Sequence, residues 1–186
     1  MLENEKLFIP GFHVWKQLVI TSAWGARWNE SRWNFVVRAF RCLSITQPTY
    51  WPDHVLLKYG LEGCDVLLNA ELAADLIWRA VEFYPAALVS QGLESSAGHP
   101  SLHVGSQFRR VQVPLQDITK AMMICLSAND MVSCSKILSC VERKGLAASN
   151  MRSLYLLSLK GYANVGDTNS AEKLIKKMNE KGIQPG

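Results

Sequence analysis

"SANDMVSCSKILSCVERKGLAAS" at residues 127–149 and "NVGDTNSAEKLIKKMNEKGIQPG" at 164–186 can be laid over each other without a gap. Asn129-Asp130 falls on Gly166-Asp167, Ile137-Leu138 on Leu174-Ile175, Val141 on Met178, and Lys144-Gly145 on Lys181-Gly182. The offset is 37 residues at every pair. A fixed period of this size is the signature of a repeat architecture, in which each unit buries its apolar face on its neighbours.

Each unit reads as two helices. In the second, Tyr155, Leu159, Tyr162 and Val165 share one helical face, and Gly166 offers the left-handed conformation that ends a helix. Asp167 can accept from the free N–H groups of the next helix, where Ala171, Leu174, Ile175 and Met178 recur at helical spacing. Lys176, Lys177 and Lys181 occupy its other side, and Gly182 and Pro185 close the unit. The expected fold class is all-α: a helix-turn-helix (α-solenoid) repeat pair at the C-terminus and an irregular helical N-terminal region.

The second unit, Arg152 to Gly186, resembles the pentatricopeptide repeat (PPR). The resemblance lies in Lys160-Gly161-Tyr162, Gly166-Asp167, Ala171, Leu174, Met178, Glu180-Lys181-Gly182-Ile183 and Pro185. The first unit, about Leu115 to Ser149, is degenerate. Asn129 replaces the inter-helix Gly, Cys134 the small Ala and Ala148 the terminal Pro, and Asn150 and Met151 are extra residues before the next unit. The resemblance spans about residues 115–186 and does not reach 1–114.

It implies single-stranded RNA as the partner, read about one base per repeat, in mitochondrial or plastid RNA metabolism such as processing, stability or translation. The family's base-reading positions, the fifth residue and the last, fall on Leu156 and Gly186 in the second unit and on Thr119 and Ser149 in the first. The second residues, which flank the base, are Ser153 and Gln116. Leu156 offers no hydrogen bond and Gly186 has no side chain, so discrimination falls to Thr119 and Ser149, and two repeats bind weakly. Lys120, Arg152 and Lys160 would add salt-sensitive attraction for phosphates.

Upstream, Trp33, Val36, Val37 and Phe40 predict a helix over about 31–45 that Asn29 could cap. Pro48 and Pro52 follow it. Trp15, Trp24, Trp28, Trp33 and Trp51 crowd this region, and core packing is the expected role, with a base-stacking platform the alternative. "CDVLLNAELAADLIWRAVEFYP" at 64–85 predicts one helix with an Asp75–Arg79 ion pair, ended by Pro85. Residues 91–114, rich in Gly, Ser and Pro, read as a linker or as a short strand pair, which divides the chain into 1–90, 91–114 and 115–186.

The apolar fraction of 48% and charged fraction of 19% are those of a globular chain. Residues 1–114 carry ten Lys/Arg and ten Asp/Glu, whereas 115–186 carry ten and six, so the net charge of +4 resides in the repeats. That excess suits a polyanionic partner and equally a solvated helix surface. The five cysteines form no C-x-x-C and read as small buried thiols. No run is long enough for a membrane span, and no cofactor is implied. The acidic start "MLENEK" argues against a transit peptide from Met1, although Arg27, Arg32, Arg38 and Arg41 give residues 12–45 some such character.

No enzyme motif is present: His99 and His103 have ligand-like spacing, but Pro100 lies between them and no Cys pair is near. A second reading is a helical-repeat scaffold that binds a protein partner through the C-terminal repeat and through Leu154, Leu156 and Leu157. A third is a truncated repeat product with little activity of its own, since Ala171–Met178 would expose part of its apolar face without a further unit.

Overall fold

The computed structural model describes residues 5–25, 29–47, 50–83, 113–145 and 148–184. These form eight helices and, among the described residues, no strand: α1 (Glu5–Trp24), α2 (Glu30–Thr46), α3 (His54–Val66), α4 (Ala70–Phe83), α5 (Leu115–Ser127), α6 (Met131–Arg143), α7 (Ala148–Val165) and α8 (Thr168–Glu180). Most of the expected linker, the expected strand pair, Trp28, Pro85 and the His99/His103 pair lie outside the described residues.

Three tight turns share one chemistry. Leu68, Asn129 and Gly166 each take a positive φ, at 49°, 54° and 74°. The next residue, Asn69, Asp130 or Asp167, donates its backbone N–H five residues back, to the carbonyls of Cys64, Cys125 and Tyr162, at 2.8, 2.9 and 3.0 Å. This is the Schellman closure, which satisfies carbonyls left open at a helix end. The same residue then caps the following helix: its side-chain oxygen accepts from the backbone N–H of Leu72, Ser133 or Ser170.

The turns therefore fix a common register. Asp130 and Asp167 are 37 residues apart, and Asn69 and Asp130 are 61. In that register Leu76, Ile137 and Leu174 superpose, as do Ala80, Val141 and Met178, and all six are buried. On the first helices Leu57, Ile118 and Tyr155 superpose and are equally buried. The α3/α4 hairpin is thus a third copy of the geometry that the sequence shows at α5/α6 and α7/α8. The single helix expected from Cys64 to Pro85 is corrected accordingly: it breaks at Leu67-Leu68, because Leu68 adopts the left-handed conformation and Asn69 caps a new helix.

The hairpins pack in chain order. The first helices touch in sequence, α1 on α3, α3 on α5 and α5 on α7, while each second helix meets the next first helix, α2 on α3, α4 on α5 and α6 on α7. This order of contacts is compatible with an α-solenoid. One apolar core runs from Val19 to Ile183 through all four pairs. Close helix approach at α3 is achieved by Gly60, where a Cβ would lie 2.7 Å from Leu76 Cδ1 and 3.2 Å from the buried Phe40 ring.

Ion pairs join successive second helices. Lys144, the C-cap of α6, lies 3.2 Å from Glu82 of α4, and Lys181, the C-cap of α8, lies 3.2 Å from Glu142 of α6. Cations at these positions also sit at the negative end of their own helix. The expected Asp75–Arg79 pair forms at 2.7 Å, and the buried Arg79 guanidinium also donates to the Ser44 and Tyr50 carbonyls. It thereby ties α4 to the end of α2. Asn29 caps α2 as expected, and Trp33, Val36, Val37 and Phe40 are buried.

A candidate single-stranded RNA interface on the first helices

Each first helix leaves one stripe in water, and the common register places those stripes side by side. Lys58, Thr119 and Leu156 occupy one row, Val55, Gln116 and Ser153 a second, and Glu62, Met123 and Lys160 a third. Lys58, Gln116, Ser153, Leu156 and Lys160 are exposed, and Thr119 is half-buried. Lys58, which the sequence reading did not single out, thus stands level with the two expected base readers. The signal that could have found it is Asn69, which marks the turn from which the register is counted.

Lys120 lies beside this face. It is half-buried next to Asp117, whose carboxyl is pushed above the usual range by burial, against the opposing pull of Lys120 and His54. Arg152 is exposed, and its Nε donates to the Gln184 carbonyl at 3.1 Å, which ties the segment after α8 to the start of α7. Ser149 sits in the first turn of α7, and its side chain, like Gly186, is outside the described residues. Asn150 and Met151 do not form a connector: they lengthen α7, and Met151 is buried.

The apolar positions expected to face a protein partner are corrected. Leu154 is fully buried beside Tyr155 in the core, because α7 turns Met151, Leu154, Tyr155 and Ser158 inward. Leu157 packs against that core, and only Leu156 emerges, at 38% exposure. The apolar face of α8 is also largely covered: Leu174 and Met178 are buried on α7, and Ile175 remains 37% exposed.

The opposite face, made by the second helices, bears an open groove of about 1310 Å³. Ile45, Trp78 and Val132 offer it exposed apolar surface, and Arg41, Lys136 and Arg143 stand with Glu71 and Asp75 along its walls. The mixed charge suits a polypeptide rather than a polyanion.

No described residues form a group of three or more His, Cys, Asp or Glu able to hold a metal ion. Four of the five thiols are buried, and burial pushes Cys64 and Cys125 up to about 12, far from the thiolate needed for nucleophilic chemistry. Cys42 is exposed. No helix among the described residues is long and apolar enough to cross a membrane. Compared with known proteins, the chain matches no family model, no curated protein and no solved structure at a significant level.

Proposed function

We propose that the chain binds single-stranded RNA along the exposed stripes of α3, α5 and α7. The observation that carries this reading is the shared register of the three turns. It aligns Lys58, Thr119 and Leu156, with Gln116, Ser153 and Lys160 around them, on one continuous face. Lysines on that face attract the phosphate backbone, and small polar side chains contact bases presented in single-stranded form. Thr119 is the side chain in the central row that can both donate and accept, so base preference rests chiefly there. The resemblance of residues 115–186 to pentatricopeptide repeats points the same way and supplies the mitochondrial or plastid setting.

Filter binding of a mixed-sequence single-stranded RNA tests the proposal. Retention at low salt should fall as salt rises, and the Lys58→Ala/Lys160→Ala double variant should reduce the log–log salt slope by about 1.4, at roughly 0.7 per phosphate contact. Failure to retain RNA at low ionic strength, or a slope unchanged in the double variant, would refute it. The groove on the second helices favours a second reading, a scaffold for a protein partner. An RNA-silent chain whose function is lost on Val132→Lys would support that reading instead.

A further inference from the structure

Of the described tryptophans, Trp33 is buried and Trp15 packs edge-on against Phe40 and Tyr50, as core residues do. Trp24, at the end of α1, is 78% exposed. Leaving so large an aromatic in water forgoes the burial that normally places it. Nor is it loosely held. Its indole N–H donates to the Tyr59 hydroxyl of α3, which fixes one edge of the ring while most of its surface stays in solvent.

Two cations lie beside its immediate neighbours. The Arg32 guanidinium, from the first turn of α2, lies against Gly25, the residue after Trp24: a Cβ there would be 1.5 Å from Nη1. Lys58 stands over the Tyr59 ring, 5.8 Å from its centre. Among the described residues no carboxylate is within ion-pair distance of Arg32 or Lys58, Glu62 one turn further along α3 included. The ring is therefore an aromatic surface held at one edge, with a cation against the residue that follows it and a second over the ring of its hydrogen-bond partner. It adjoins the Lys58 row of the proposed interface.

The geometry points to Trp24 as a stacking platform for one unpaired nucleobase, with Arg32 and Lys58 taking the phosphates on either side. This deepens the RNA-binding reading and rests on it: the strand that crosses α3, α5 and α7 continues onto α1, where it is held by stacking without base discrimination. A π-face is common to all four bases, so the platform adds affinity and no sequence preference.

The test uses the full chain and a fluorescein-labelled single-stranded RNA of mixed sequence, followed by anisotropy and by tryptophan emission. Trp24→Ala should weaken binding about 5- to 150-fold, the span expected for one lost base–aromatic stack, and should remove part of the emission quench expected on RNA addition. Trp24→Phe keeps the face without the N–H and should stay within about threefold of the wild type. A Trp24→Ala protein that binds as the wild type does overturns the platform and leaves the RNA reading intact. So does a Trp24→Phe loss as large as that of alanine, since the hydrogen bond and not the face would then matter. A wild-type chain that fails to shift the anisotropy at all overturns both. Circular dichroism of each variant reports its fold, and Arg32→Gln, expected to weaken binding without changing the quench, provides an independent arm.

Discussion

Leu68, Asn129 and Gly166 occupy one conformational position with three different side chains, and the energetics differ accordingly. A side chain in the left-handed region costs about 1–2 kcal/mol, which glycine does not incur. Leu68 is also 53% exposed, so it recovers little by packing. Leu68→Gly should therefore stabilise the protein by about 0.5–1 kcal/mol after the extra freedom of glycine in the unfolded chain is subtracted. Gly166→Ala should destabilise it by about 1 kcal/mol, although no atom lies within 4 Å of the added methyl. Urea denaturation reads both, and equal signs for the two would be incompatible with the turn geometry. The same residue explains a gap in the sequence reading. The Gly166-Asp167 turn is legible because glycine advertises it, whereas Leu67-Leu68 continues an apolar helical pattern and hides the break. Asn69 was the available signal, and it reads as an ordinary helix surface residue until its hydrogen bond to Leu72 is known.

Helices α6, α7 and α8 are joined through one carboxylate. Glu142 accepts from Lys177 at 2.5 Å, from Lys181 at 3.2 Å and from the hydroxyl of the buried Tyr155. Burial pushes its pKa up, but the hydrogen bonds from Lys177, Tyr155 and Lys181 outweigh this and hold it below the usual glutamate range. A depressed folded-state pKa means that the stabilisation is complete above the unfolded value of about 4.3 and is lost as pH falls through the folded one. Glu142→Gln should thus destabilise the protein by about 1–3 kcal/mol at neutral pH, since it leaves strong donors without their acceptor. The gap between wild type and variant should close in thermal melts below about pH 4. A gap that persists undiminished at pH 3 would assign the stability to packing alone. No pattern of spacing announces this junction: Glu142 and Lys177 are 35 residues apart in the chain, and only the stacking of hairpins brings them together. The Asp75–Arg79 pair, by contrast, is read directly from its spacing within one helix. Leu154 marks the limit of such reading, because helical spacing shows which residues share a face but not which face meets the core.

In a stack of hairpins each unit depends on its neighbours, so local stability should follow the number of neighbours a helix has. Helices α3 and α5 lie in the middle: α3 touches α1, α2, α4 and α5, and α5 touches α3, α4, α6 and α7. The main neighbour of α8 is α7, aided by the Glu142 ion pairs to α6. Hydrogen exchange followed by mass spectrometry should find the slowest amides in α3 and α5 and markedly faster exchange in α8. Glu142→Gln should accelerate α8 and leave α4 near its wild-type rate, because opening one hairpin does not require opening the next. Uniform acceleration across all eight helices would mean a single all-or-none unit and would remove the basis for treating the hairpins as separable. The same gradient bears on function. If RNA binds across α3, α5 and α7 as proposed, it bridges the stiff middle and the softer end, and bound RNA should slow exchange in α7 more than in α5. Protection confined to the second helices α2, α4 and α6 would instead place the ligand in the groove of the opposite face.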